Sequence, residues 1–75
     1  MTDQQRKAEG ILWNLYGAIW TDDNAAPGER NGKEGLYCRI STGRISQLVQ
    51  LERLRKNGLS CEIVEPGKVF VWVAP

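Results

Sequence analysis

The 75-residue chain contains no histidine and only two cysteines, Cys38 and Cys61. A structural zinc site needs about four cysteine or histidine ligands, so the chain by itself does not supply one. Histidine is also the side chain that most often serves as a general base in enzymes. Gly28 and Gly32-Lys33 lack the glycine spacing and the Ser/Thr of a phosphate-binding loop. These absences predict a protein that is not an enzyme and that holds no metal ion or other cofactor.

Long apolar runs are missing as well. No stretch of about 18 apolar residues is present, which predicts that no helix spans a membrane. The first ten residues, MTDQQRKAEG, lack the apolar stretch of a signal peptide, so we expect a cytoplasmic protein. The hydrophobic content of 41% and the charged content of 25% are ordinary for a globular chain. We therefore predict one small domain over residues 1–75, with two unpaired thiols rather than a disulfide.

The net charge is only +1, but the charges are unevenly distributed. Residues 1–37 hold more acidic than basic side chains, whereas residues 38–75 hold twice as many basic as acidic ones. The basic residues of the second half are Arg39, Arg44, Arg53, Arg55, Lys56 and Lys68. Phosphate groups are bound by local clusters of this kind, so the second half is where contact with nucleic acid is expected.

The first segment is predicted to form a helix over about residues 3–19. Apolar residues recur there at spacings of three and four, which marks one face of a helix. Thr2 or Asp3 can cap its start. The following stretch, about residues 21–35, has no periodicity and contains the turn dipeptides Pro27-Gly28 and Asn31-Gly32. It is predicted to be a surface loop.

A second helix is predicted over about residues 43–57. On a helical wheel, one wide arc is apolar and the opposite strip is polar. The apolar arc comprises Ile45, Leu48, Val49, Leu51 and Leu54, and the polar strip comprises Ser46, Gln50, Arg53 and Asn57. The width of the apolar arc predicts cover on two sides, with Leu48 and Leu51 buried. Gly58 follows as a natural helix-ending residue.

The last segment is predicted to be a β-hairpin. LSCEIVE and KVFVWVA are rich in β-branched and aromatic residues, and they flank the turn dipeptide Pro66-Gly67. Val71 is expected to be buried. The short stretch 36–41 fits two structures, because its alternation suits a strand while Leu36 and Ile40 also fit one side of a short helix. A possible extra strand at 36–41 therefore stays open.

The segment RISTGRISQLVQLERLRKNGLSCEIVEPGKVFVWV resembles the recognition helix and wing of small winged helix-turn-helix domains in phage and bacterial DNA-binding proteins. The DNA-binding domain of biotin repressors is one example of such a domain. The matching features are the helix that ends in LRKNGL and the hairpin EPGKVFVWV. The resemblance implies an α+β, winged-helix-like domain with an N-terminal helix, a second helix over about 43–57 and a C-terminal hairpin.

The same resemblance implies where DNA would be contacted. The helix after Gly43 would enter the major groove, where arginine recognises guanine and glutamine recognises adenine through paired hydrogen bonds. Hydroxyl groups and backbone N–H groups at the helix start would bind phosphates, as would Lys68 at the tip of the wing. The candidate DNA-binding residues are Arg39, Ser41, Thr42, Arg44, Ser46, Gln47, Gln50, Arg53 and Lys68.

The sequence thus favours a DNA-binding protein of phage or mobile-element type, such as a repressor, an excisionase-like protein or an accessory regulator, whose partner is double-stranded DNA. Whether it forms a homodimer stays open. The alternative is a small protein-binding module that inhibits a host protein. It rests on the weak net charge and on the aromatic residues Trp13, Trp20, Phe70 and Trp72, since aromatic residues are enriched in protein interfaces.

Overall fold

The computed structural model describes residues 1–16, 25–39 and 44–75, with the side chains of residues 44–46 left out. It contains two helices and four strands in the order α1 (Asp3–Tyr16), β1 (Ala25–Arg30), β2 (Lys33–Arg39), α2 (Arg44–Lys56), β3 (Leu59–Glu65) and β4 (Lys68–Val73). The predicted α+β class, the two helices and the C-terminal hairpin are confirmed. Of the first helix, residues 17–19 lie outside the described residues. Neither described helix is long and apolar enough to cross a membrane.

Helix α1 begins at a capping box. The Gln5 N–H donates to Thr2 Oγ1 at 3.2 Å, and the Thr2 N–H donates to Gln5 Oε1 at 2.8 Å. The exchange provides partners for two N–H groups at the helix start, as expected for a Thr-x-x-Gln pattern. The Gln5 side chain is buried, and its Nε2 donates to the carbonyl oxygen of Gly28 in β1 at 2.9 Å, which gives the buried amide a partner. This bond ties the start of α1 to the edge of the sheet.

The predicted loop over 21–35 is wrong for residues 25–35, which form most of a β-hairpin, whereas residues 21–24 lie outside the described residues. Residues 25–30 pair with residues 33–38 through a two-residue turn at Asn31-Gly32. Both turn residues have positive φ, 53° and 78°, as a type I′ hairpin turn requires. The sequence AAPGER has no β-branched or aromatic residue, so propensity did not reveal β1. The open choice at 36–41 is decided for a strand up to Arg39.

The four strands form one antiparallel sheet in the order β1-β2-β4-β3. Helix α1 contacts β2 and β4, and α2 contacts β3. Side chains from both helices and three strands meet in one core on the same side of the sheet. That core consists of Ala8, Leu12, Leu36, Cys38, Leu51, Leu54, Leu59, Val69 and Val71. The sheet therefore has one face covered by helices.

Helix α2 is rotated relative to the prediction. Leu51 and Val71 are buried, as predicted, but Leu48 is 70% exposed and Val49 is 45% exposed. Gln50, which was placed on the free polar strip, is half-buried, and its Oε1 atom is enclosed. Among the described residues, α2 contacts chiefly the edge strand β3. A helix that packs on one strand buries only a narrow stripe, here centred on Leu51 and Leu54.

Candidate nucleic-acid-binding face of the sheet

The sheet has a second face, turned away from both described helices, which we call the open face. Successive residues of a strand point to opposite faces, and directly paired residues share a face. The open face is therefore formed by Ala26, Gly28, Arg30, Lys33, Gly35, Tyr37, Arg39, Ser60, Glu62, Glu65, Lys68, Phe70 and Trp72. Aromatic and basic residues dominate its two central strands.

Phe70 forms a small core of its own on the open face. It is fully buried, although it is not part of the core beneath the helices. Its ring lies between those of Tyr37 and Trp72, with centroid distances of 4.8 Å and 5.7 Å. Both distances and the tilted geometry suit favourable aromatic pairs. Tyr37 and Trp72 are half-buried, so each residue keeps part of its surface exposed.

Two glycines make room for these rings. A Cβ atom at Gly35 would collide with the backbone carbonyl oxygen of Val71 and would come within 2.9 Å of the Phe70 ring. A Cβ atom at Gly28 would lie 2.5 Å from the Tyr37 ring. Both separations are far shorter than van der Waals contact, so a side chain at either position would push the aromatic layer away from the strands.

Two lysines lie over the outer rings. Lys33 Nζ is 4.6 Å from the Trp72 ring centroid, and Lys68 Nζ is 5.2 Å from the Tyr37 ring centroid. These distances fall within the range of cation–π attraction. Each lysine directly follows a glycine with positive φ, Gly32 or Gly67, at the turn of its hairpin. The two hairpin turns thus place both ammonium groups on the open face.

An ion pair links the two edge strands over the open face. Arg30 Nε donates to Glu62 Oε2 at 3.0 Å, although β1 and β3 are the outermost strands. Hydrogen bonds to Glu62, the larger contribution, and to Tyr37 raise the pKa of the Arg30 guanidinium above its ordinary value. The pair neutralises the carboxylate that lies beside Phe70 in the register of β3 and β4. Among the described salt bridges, the other is Lys56–Glu52 on α2.

The candidate residues from the sequence are divided between the two sides of the sheet. Arg39 and Lys68 lie directly opposite each other on the open face. Arg53 lies on the helical side, with its guanidinium 6.0 Å from the Tyr16 ring, and Gln47 and Gln50 are half-buried there.

The remaining four candidates are described in part or not at all. The structure shows only the backbone of Arg44 and Ser46, both in α2, whereas Ser41 and Thr42 lie outside the described residues.

Sequence reasoning did not single out Lys33, Tyr37 or Arg30. The sequence does contain a signal for two of them, because Asn31-Gly32-Lys33 and Pro66-Gly67-Lys68 share the pair Gly-Lys at a spacing of 35 positions. Each is followed four residues after its lysine by an aromatic residue, Tyr37 or Trp72. No family model, no curated protein and no solved structure matches this chain.

Proposed function

We propose that the protein binds nucleic acid and that the open face of the sheet is the contact surface. The observation that carries the proposal is the pair of lysines held over Trp72 and Tyr37 on a face that no described helix covers. Aromatic rings on which bases stack, together with cations that follow the phosphate backbone, are the two elements of single-strand binding surfaces. Arg39 adds a third cation beside Lys68.

The charge balance of the open face supports the same function. Glu62 is paired with Arg30, and Glu65 lies opposite Lys68 in the register of β3 and β4. The four basic residues Arg30, Lys33, Arg39 and Lys68 still exceed these two carboxylates. Within the described part of the chain, neither Lys33, Lys68 nor Arg39 takes part in a salt bridge. Cations without a carboxylate partner are free to exchange their counterions for phosphate groups.

The winged-helix version of DNA binding requires α2 and the β3–β4 hairpin to reach the same duplex. Arg53 lies on the helical side of the sheet, whereas Lys68 lies on the open face. One duplex placed against α2 would therefore miss Lys68. We therefore retain Arg39 and Lys68 as contact residues and place the contact surface on the sheet instead of on α2.

The test is a titration of fluorescently labelled oligonucleotides at two salt concentrations, followed by anisotropy. Binding should weaken steeply as salt increases. The variants Lys33→Gln and Lys68→Gln should each weaken binding, while Lys7→Gln, an exposed position on α1, serves as the matched control. Absence of salt-sensitive association with both single-stranded and duplex oligonucleotides would refute the proposal.

A protein-binding module is the second candidate function. It is favoured by large apolar side chains that are exposed on elements of the helical side, namely Trp13, Leu48, Val49 and Ile63. Exposed apolar groups of this size are typical of interaction surfaces when they form a patch. If this function holds, Trp13→Ala and Leu48→Ala should abolish capture of a partner protein, and Lys33→Gln should leave that capture unchanged.

A further inference from the structure

The chain is built from two similar halves related by an approximate twofold axis. Each half has the order helix, strand, strand: α1-β1-β2 and α2-β3-β4. The sheet order β1-β2-β4-β3 places β2 and β4 at the centre, antiparallel to each other, as a twofold axis perpendicular to the sheet requires.

The residue correspondence is an offset of 35 positions in the central strands. It relates Lys33 to Lys68 and Tyr37 to Trp72. The paired residues Leu36 and Val71 are related to each other and therefore lie at the axis. The outer strands follow the same symmetry except for a bulge between Ile63 and Glu65, which adds one residue to β3.

The twofold relation produces two equivalent half-sites on the open face. Lys33 and Trp72 form one half-site, and Lys68 and Tyr37 form the other. In each, the lysine comes from one hairpin and the ring from the other. Phe70 separates the two rings and is in contact distance of both. The open face thus offers the same chemistry twice, at opposite ends of the central strand pair.

Resting on the proposed function, we infer that the nucleic acid bound here is single-stranded and that one base stacks on Trp72 while another stacks on Tyr37. When a lysine moves from its ring to a phosphate, the outer ring surface becomes free for a base. Base stacking on aromatic side chains needs unpaired bases, and it tolerates any base because each has a flat π surface.

The width of the sheet argues against a duplex. The major groove is about 12 Å wide and admits one helix or a two-stranded ribbon. Four strands at a spacing of about 4.8 Å place the outer strands about 14 Å apart before any side chain is counted. The ring layer lies on the two central strands, and the Arg30–Glu62 pair of the outer strands crosses the same face. Bases that reach these rings must come out of a base-paired stack.

The experiment compares three labelled probes: a thymidine oligonucleotide of about 16 nucleotides, a strand of the same length made of abasic sites, and a duplex of the same length. We expect the thymidine strand to bind about a hundredfold more tightly than the abasic strand, about tenfold for each of the two stacked bases, and also more tightly than the duplex. If the abasic strand binds as tightly as the thymidine strand, the inference of base stacking is overturned, and phosphate contact is the interaction that remains. Tighter binding of the duplex would also overturn it, and both results would leave the proposed function standing. If none of the three probes binds, both the inference of base stacking and the proposed nucleic-acid binding are refuted.

Variants of the rings locate the stacking sites. Trp72→Leu and Tyr37→Leu should each lower affinity for the thymidine strand about tenfold without changing affinity for the abasic strand. Trp72→Phe and Tyr37→Phe keep an aromatic surface over Phe70 and should retain most of the affinity, which controls for loss of folding. Trp13→Leu on α1 is the matched control and should bind as the wild type does. Equal losses for both probes in the Leu variants would overturn the stacking assignment.

The lysines provide a measurement that a purely structural role would not affect. Lys33→Gln and Lys68→Gln should each lower the slope of log affinity against log salt by about 0.7, the value for one phosphate contact on a single strand. The double variant should lower it by about twice as much. An unchanged slope in both single variants would overturn the assignment of the half-sites.

Discussion

At the scale of single residues, Cys38 shows how burial changes the chemistry of a side chain. It is almost fully enclosed in the core beneath the helices, and desolvation raises the pKa of its thiol to about 12. Burial also raises the pKa values of Cys61 and Tyr16, where Arg55 and Arg53 respectively oppose the shift. The sequence correctly predicted two free thiols, but not their depth, because burial depends on which strand face meets the helices.

The raised thiol pKa predicts a loss of stability at alkaline pH. A cysteine with a higher pKa in the folded state contributes stability that is complete below the unfolded pKa, near 9, and is lost as pH rises towards about 12. The free energy of unfolding should therefore fall by about 1.4 kcal/mol per pH unit for this group across that range. Urea denaturation at several pH values, followed by circular dichroism, measures the slope.

Cys38→Val is the matched variant, because it keeps an apolar side chain of similar volume and removes the titrating group. Its stability should decline less steeply with pH than that of the wild type. Parallel curves for the two proteins would show that another group is responsible for the alkaline loss.

At the scale of elements, the sequence predicted those with strong periodicity or composition and missed those without. Helices α1 and α2 and the hairpin of β3 and β4 follow from spacing and from β-branched residues. Strand β1 does not, because AAPGER is held as a strand by pairing with β2 and by the bond from Gln5 to Gly28. The rotation of α2 could not be predicted from the sequence either. Its apolar residues occupy more than half of the helical wheel, so several rotations of the helix would bury apolar side chains.

The rotation of α2 predicts unequal costs for two leucines on the same helix. Leu54 is 1% exposed and Leu48 is 70% exposed. Leu54→Ala should therefore lower the free energy of unfolding by about 2–5 kcal/mol, the range for a buried leucine. Leu48→Ala should change it by less than about 0.5 kcal/mol, as for other surface substitutions. Chemical denaturation of both variants makes the comparison, and similar losses would mean that α2 packs through a different face.

At the scale of the whole molecule, the sheet separates features that lie close together in the sequence. The resemblance to a winged helix implied one binding surface formed by a helix and the hairpin that follows it. In the structure the helix covers one face of the hairpin, and Lys68, Phe70 and Trp72 point to the other. Sequence spacing did not reveal this, because the face of a strand residue depends on register. The relation between Lys33 and Trp72 depends in addition on the pairing of β2 with β4.

The approximate twofold symmetry predicts how a bound strand is oriented. A nucleic-acid strand has a direction, whereas the half-sites Lys33–Trp72 and Lys68–Tyr37 are equivalent by symmetry. The strand should therefore bind in both directions with similar affinity. The turns at Asn31-Gly32 and Pro66-Gly67 lie at opposite ends of the central strands, so their backbone amide signals distinguish the two directions.

The measurement uses thymidine strands that carry a nitroxide label at either the 5′ or the 3′ end. Each label should broaden the amide signals of both turns, Gly32 and Gly67 among them, because each strand end visits both. A strand fixed in one direction would broaden one turn with the 5′ label and the other turn with the 3′ label. That result would show that the differences between the halves, such as the bulge in β3 and the single Arg30–Glu62 pair that joins them, outweigh their symmetry.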